Sequence, residues 1–226
     1  MKKAPMSLTE GHFETLPAYG GHPFSWRFTT PLFVGSALNP VNSSLIATAL
    51  LPIARDLGIQ IGQTAALVAG LYLASTTAQP TAGKAAEVFG PRRVFMSGIV
   101  TVVLGSIVGG FAQSLWMLIL SRVVIGLGTS CAYPTAMLLI QRRARDAGMA
   151  KPPGGVLGGL MIAGIATASF GLPLGGVLVN ALTWRAIFFV NVPFAVIAFI
   201  AAVAWVEPDP KRAERMNAQQ IASKLD

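Results

Sequence analysis

Arg122 makes the heaviest chemical demand in this sequence, because its guanidinium falls inside an apolar run from Leu115 to Ile140. A cation at membrane depth is costly and turns inward, onto polar partners or a water-filled path. It lies about seven residues into the run, or ~10 Å at 1.5 Å per residue, too deep for simple snorkelling. Other polar groups sit in neighbouring apolar runs: Asn39, Asn42, Ser43, Ser44 and Thr48 in one, Tyr72, Ser75, Thr76 and Gln79 in a second, with Tyr133 and Asn191 elsewhere. On a helix Asn39 and Asn42 share a face, with Ile46 less closely, and Tyr72, Ser75 and Gln79 form a stripe. Buried amides and hydroxyls need partners. Two readings are open: hydrogen-bonded glue between helices, or the wall of an aqueous substrate cavity at the midplane. Asn39, Asn42, Ser43, Tyr72, Gln79, Arg122 and Tyr133 are therefore the candidate substrate-binding or coupling residues.

The residues that other chemistries need are scarce, and whether any transport is proton-driven stays open. The acids are Glu10, Glu14, Asp56, Glu87, Asp146, Glu207, Asp209, Glu214 and Asp226, and none falls mid-way through an apolar run. A proton carrier needs a group that titrates in the accessible range, and arginine does not. Ser43, Ser44 and Ser75 are available nucleophiles, yet no histidine lies in any apolar run. No enzyme activity, catalytic residue, metal site or cofactor is expected. His12 and His22 stand in a polar N-terminal stretch without a ligand set around them. The single cysteine, Cys131, permits no disulfide within the chain and reads as a small buried residue.

The elements that must position these groups follow from composition. Of the 226 residues 53% are hydrophobic and 12% charged, against about 25% charged in soluble domains. Glycine is abundant at 24 residues, as in packed membrane helices. About 20 apolar residues cross a hydrocarbon core, and six runs qualify: about Pro31 to Ala54, Thr64 to Gly83, Val94 to Gln113, Leu115 to Ile140, Gly155 to Val179 and Ala186 to Val206. The fold class expected is an all-α membrane protein. Residues 1–29 form a polar N-terminal tail, 30–206 a six-helix transmembrane bundle, and 207–226 a charged tail that could carry a short surface helix.

The net charge of +8 has a membrane explanation, since cytoplasmic loops collect Lys and Arg. No aromatic-plus-basic pattern of a nucleic-acid binder accompanies it. The two tails and the links after the second and fourth runs hold fourteen of the seventeen basic residues, among them Lys84, Arg92, Arg93, Arg142, Arg143, Arg145 and Lys151. Arg55 and Arg185 alone fall on the other side. Both termini are thus expected in the cytoplasm, in a multi-pass protein of the cytoplasmic (inner) membrane.

Two links share a spacing. Gly83, Glu87, Arg92 and Phe95 are separated by four, five and three residues, as are Gly176, Asn180, Arg185 and Phe188, 93 residues later. Three helices followed by three similar helices alternate in topology, so the links face opposite sides of the membrane. That is the pattern of two inverted three-helix repeats, a frequent transporter design.

The stretch Gly83-Lys84-Ala85-Ala86-Glu87-Val88-Phe89-Gly90-Pro91-Arg92-Arg93 resembles the loop signature of the major facilitator superfamily, Gly-x-x-x-Asp-x-x-Gly-x-Arg-Arg. Glu87 stands where Asp is usual, and Val88 where a base is common. The resemblance makes Gly83, Glu87, Gly90, Arg92 and Arg93 a conformational-gate loop with a breakable ion-pair latch. Arg122, Gly126 and Gly128 resemble the family's Arg-x-x-x-Gly-x-Gly element, in which the arginine takes part in coupling or gating, with Ile125 where Gln is frequent. Gly164, Gly171, Pro173, Gly175 and Gly176 resemble the helix-5 signature of its antiporter branches, although the proline comes one residue late. Trp184-Arg185-Ala186-Ile187-Phe188-Phe189-Val190-Asn191-Val192-Pro193 and the stretch from Ala49 to Gly58 resemble the fourteen-span drug:proton antiporter branch. That branch commonly places an acid in helix 1, where this sequence has Asn42-Ser43-Ser44.

The resemblance covers most of the chain after residue 30. It implies a transporter, or the N-terminal half of one, exporting small amphipathic compounds or drugs by alternating access. The sequence ends just after the sixth run, at Ser223-Lys224-Leu225-Asp226, where the resembled branch leads into a seventh helix. The partners expected are a lipid bilayer, a small-molecule substrate, and either a second six-helix half or a second copy in a homodimer, with no nucleic acid. The alternative is a membrane interaction subunit or truncated remnant without transport activity.

Overall fold

The computed structural model describes residues 23–209. The two expected tails, with His12, His22 and the residues from 210 onward, fall almost wholly outside the described residues. The helices are α1 (Trp26–Asp56), α2 (Ala65–Phe89), α3 (Pro91–Gly110), α4 (Leu115–Asp146), α5 (Gly154–Ala181), α6 (Ala186–Phe189) and α7 (Asn191–Trp205), with a 3-10 turn, Ile61–Thr64, ahead of α2. No strand occurs among the described residues.

Five segments are long and apolar enough to cross a membrane: α1, α3, α4, α5, and α6 with α7 taken together. The second expected span, α2, has the length at 25 residues but not the apolarity, because it carries Ser75, Thr76, Thr77, Gln79 and Thr81. Helix ends also differ from the apolar limits. α1 begins at Trp26, inside the expected tail, α2 continues six residues past Gly83, and α4 six past Ile140. Backbone hydrogen bonding does not stop where hydrocarbon stops, and Ala, Glu, Lys and Arg in these extensions favour helix. Gly83 therefore sits within α2 rather than at its end, and an added Cβ there would meet only Pro134, at 3.9 Å. The sixth segment breaks at Val190, where Pro193 has no N–H for the Phe189 carbonyl.

Small residues set the packing. α1 lies chiefly against α5, and α4 against α2 and α3. On α5 a Cβ at Gly171 would stand 2.4 Å from Ser44 Cβ, and one at Gly175 2.5 Å from Thr48 Oγ1. The missing side chains let the backbones approach, and Ser44 Oγ reaches the Ala168 carbonyl across the interface at 2.8 Å. Gly164 has only an ordinary contact with Pro40, Gly176 meets nothing within 4 Å, and Pro173 is exposed, so the packing role expected of five residues falls on Gly171 and Gly175. On α4, Gly126 and Gly128 point about 200° apart. A Cβ on Gly126 would be 2.6 Å from the Leu71 carbonyl of α2, and one on Gly128 2.6 Å from the Gly98 carbonyl of α3.

Two apolar clusters fill the bundle. One joins Phe28, Leu32 and Leu38 to Phe95, Ile99, Ala136, Ile140 and Ala198. The other joins Leu45, Ile46 and Ile53 to Leu67, Leu71, Leu118, Ile125 and Phe188. Along α1 the seam between them falls from Leu38 to Val41, and along α6 and α7 from Phe188 to Ala195. The outer side of α5 is apolar and exposed at Met161, Ile162, Ile165, Phe170, Leu172 and Val177, a surface suited to lipid rather than water.

Candidate functional site

At that seam lies a buried polar network. Asn42, in the middle of α1, and Asn191, at the start of α7, are 1% and 0% exposed and exchange amide hydrogen bonds. Asn42 Nδ2 donates to Asn191 Oδ1 at 3.1 Å, and Asn191 Nδ2 donates to Asn42 Oδ1 at 2.9 Å. Each amide also donates to the carbonyl four residues earlier, Leu38 O (2.9 Å) on α1 and Ile187 O (3.3 Å) on α6. Arg122 of α4 is 2% exposed and closes the network. Its Nη2 donates to Asn42 O at 3.1 Å, Nη1 to Asn42 Oδ1 at 3.4 Å, and Nε to the Leu67 carbonyl of α2 at 3.4 Å. None of the ion pairs among the described residues includes Arg122. Its charge is spread over neutral oxygens from two helices, which is how an intramembrane cation is accommodated without an acid.

A second set lies beside it. Asn39 Nδ2 donates to Thr129 Oγ1 at 3.1 Å and approaches Ser75 Oγ at 3.5 Å, while Ser75 Oγ donates to the Gly126 carbonyl at 3.1 Å. These bonds tie α1, α2 and α4 together. The expected α2 stripe divides: Ser75 is buried, whereas Tyr72 and Gln79 are exposed, as are Thr76 and, on α4, Tyr133. Ser43 is partly buried, and its Oγ has no hydrogen-bond partner. Asn42 and Ser75 bond between helices as glue, whereas Tyr72, Gln79 and Tyr133 are exposed.

The turn between α2 and α3 is held by Asp209, from the expected C-terminal tail. Asp209 accepts from the backbone N–H of Arg92 (3.3 Å) and Arg93 (3.0 Å), capping the first turn of α3, and pairs with Arg142 Nη1 at 3.4 Å. Gly90 is at φ +100°, and a Cβ there would stand 2.4 Å from the Asp209 carboxylate, so this position needs glycine twice over. Pro91 follows as the first residue of α3, where its missing N–H costs nothing. Arg92 Nη2 donates to the Val203 carbonyl near the end of α7 at 2.9 Å, Arg93 is exposed, and Glu87 is exposed on the last turn of α2. Arg143 pairs with Glu207 and donates to the Pro23 carbonyl. At the opposite end Asp56 accepts from Trp184 Nε1 (3.0 Å) and Arg185 Nη1 (3.2 Å), and Arg185 Nη2 donates to the Ala112 carbonyl at 3.4 Å.

The Asp209 cap gives a direct expectation. Asp209→Ala removes two charge-assisted bonds from a nearly buried carboxylate and lowers stability by about 1–2 kcal/mol. Hydrogen exchange would quicken at the amides of Arg92 and Arg93 while the middle of α3 stays protected. Unchanged exchange there would show that the cap is idle.

Asn191 and Ser75, read in the sequence as polar groups but not placed among the site candidates, complete these networks with Thr129 and Asp209. An amide in an otherwise apolar helix was a usable signal for Asn191. Nothing local marked Asp209, whose role depends on backbone N–H groups 117 and 116 residues earlier.

A bundle of apolar helices around an acid-free cation and amide network is the build of a multi-pass membrane protein. The chain belongs to the Major Facilitator Superfamily, whose family model matches residues 32–224. This is a family of membrane transporters, not enzymes. An uncharacterized MFS-type transporter of Bacillus subtilis, YwoD, is 31% identical over 185 residues, 82% of this chain and 40% of that protein. A multidrug resistance protein B homolog of Mycobacterium tuberculosis is 32% identical over 185 residues, 81% of this chain and 34% of that protein. A puromycin resistance protein of Streptomyces alboniger, pur8, is 29% identical over 187 residues, 83% and 37% respectively. The chain spans two fifths or less of the length of these relatives.

Proposed function

We propose that this chain is a six-span half of a secondary transporter that exports small amphipathic compounds by alternating access. Its termini lie on the cytoplasmic side of the inner membrane. The observation that carries the reading is the polar stripe of Tyr72, Thr76 and Gln79, exposed on α2, the helix whose Leu67 carbonyl holds Arg122. Polar side chains on an outer face are disfavoured against lipid and suit an aqueous path. The names of the multidrug and puromycin resistance relatives support amphipathic drugs as the substrate class. The stripe is one side of a path. A second six-helix half, or a second copy of this chain, supplies the other.

Alternating access needs two similar units of opposite topology, and three features support them here. The main pairings correspond when α1 is exchanged with α4, α2 with α5 and α3 with α7: α1 lies on α5 as α4 lies on α2, and on α7 as α4 lies on α3. Arg92 bonds a carbonyl near the end of α7, and its counterpart Arg185 bonds one just past the end of α3. Two side crevices match as well. The crevice between α2, α3 and α4 includes Thr77, Ala78, Thr81, Leu127, Ser130 and Cys131. Adding 93 to these α2 positions and subtracting 93 from the α4 positions yields Phe170, Gly171, Leu174, Val34, Ala37 and Leu38, while Ala82, Ala85 and Phe89 of the same crevice have no such counterpart. All six line the crevice between α1, α5 and α7. The basic links after α2 and α4 meet at one end and Arg185 lies at the other, which supports cytoplasmic termini by the positive-inside rule.

The test is efflux of a cationic amphipathic dye from cells producing the chain, with native mass spectrometry of the purified protein. The paired substitution Tyr72→Leu with Gln79→Leu removes the stripe's hydrogen-bonding groups and lowers efflux by about tenfold, the worth of one hydrogen bond of ~1.4 kcal/mol. Dye accumulation equal to that of cells lacking the chain would favour the non-transporting subunit.

A further inference from the structure

The two side crevices are related in position but not in chemistry. The one between α1, α5 and α7 measures about 310 Å³ and is walled by Val34, Leu38, Phe170, Leu174 and Phe194, with no charged residue. The one between α2, α3 and α4 is larger, about 660 Å³, and open to the side. Its floor is made of small residues, Ala78, Ala82 and Ala85 on α2, so nothing bulky fills it. Its one charged lining residue is Arg93, exposed at the start of α3. The Arg93 backbone N–H is engaged by Asp209, which fixes the residue at the rim.

The dimensions fit one leaflet of a bilayer. From Phe89 at the rim to Thr77 at the inner end, the crevice follows twelve residues of α2, or ~18 Å at 1.5 Å per residue. Half of a hydrocarbon core is ~15 Å. A cation therefore sits at headgroup level above an apolar slot as deep as an acyl chain. Arg92, Arg142 and Arg143 cluster at the same end, and their guanidinium groups are held by Val203, Asp209 and Glu207.

We infer that the α2–α3–α4 crevice is a binding site for an anionic phospholipid. The phosphate meets Arg93, and one acyl chain lies along Ala85, Ala82 and Ala78 toward Leu127. The site rests on the reading of this end of the bundle as a membrane surface, but not on transport or on which surface it is. Its α1–α5–α7 counterpart has no cation and does not discriminate by headgroup charge.

Cys131 provides a built-in reporter, because it is the only cysteine of the chain and lines the inner part of this crevice. The full chain is placed in nanodiscs of phosphatidylcholine, with or without phosphatidylglycerol, and the rate of Cys131 modification by N-ethylmaleimide is followed by intact mass. Both faces of a nanodisc carry the same lipids, so the outcome is independent of topology and of efflux. Phosphatidylglycerol slows modification by about fivefold, the factor one cation contributes at an anionic surface. Arg93→Gln removes the difference between the lipids and Arg93→Lys keeps it. Arg145→Gln, an exposed cation at the same end, also keeps it. Thr81→Phe, which fills the slot, slows modification in both lipids. Equal rates in the two lipids for the unaltered chain overturn the proposal, and need no variant to fold. Slowing that follows protein copies per disc rather than lipid charge also overturns it, assigning the crevice to a second copy of the chain.

Discussion

Asn42→Leu lowers the unfolding free energy by about 3–4 kcal/mol, the summed cost of leaving a buried amide and one guanidinium N–H short of a partner. The substitution takes Oδ1 from both Arg122 and Asn191 at once, and Nδ2 from Asn191 Oδ1, while Arg122 keeps the Asn42 and Leu67 carbonyls. Arg122→Met behaves differently. It removes the charge with its need for partners and leaves the Asn42–Asn191 pair complete. Its cost is about 1–2 kcal/mol. The double variant is then more stable than Asn42→Leu alone, because the two sites share one network and their effects do not add. Denaturant titration of the three proteins in mixed micelles measures this. A double variant less stable than either single one would show that Arg122 contributes by packing, not as a charge held by Asn42.

Gly128→Val comes next in size, with an expected loss of about 3 kcal/mol or failure to accumulate in the membrane. The reason is what the new atoms meet. Around Gly128 they meet the Gly98 carbonyl and, at 2.8 Å, the Val102 backbone N, neither of which moves without shifting α3. Gly126→Val meets the Leu71 carbonyl in the same way and loses a similar amount by parting α4 from α2. Gly176→Val on α5 meets nothing within 4 Å and changes stability by less than about 0.5 kcal/mol. Melting temperatures in one detergent rank the three. Equal losses at Gly126, Gly128 and Gly176 would mean that helix propensity, not close approach, sets the cost.

Much of this was legible before any coordinates. Arg122 turns inward because no other orientation satisfies a guanidinium at that depth. Gly90-Pro91 ends one helix and starts the next because positive φ and a missing N–H suit those two positions alone. Less legible was the division within a stripe. Tyr72, Ser75 and Gln79 have the right spacing for one face, yet Ser75 bonds the Gly126 carbonyl while Tyr72 and Gln79 look outward. A helical face is about 100° wide, and a few tens of degrees of rotation decide which edge is covered.

The sequence by itself determined the class of molecule: apolar helices of membrane length, basic residues gathered into alternate links, one deep cation and no acid to meet it. These follow from local composition and from the cost of charge in hydrocarbon, and neither depends on which helix neighbours which. Only the tertiary structure decided that Asn42 pairs with Asn191 149 residues away, that Asp209 caps α3, and that Gly171 and Gly175 are contact glycines while Gly176 is not. Those outcomes rest on helix rotation and pairing. They are set by the fit of whole surfaces, in which every apolar helix looks alike until the small residues of one meet the side chains of another.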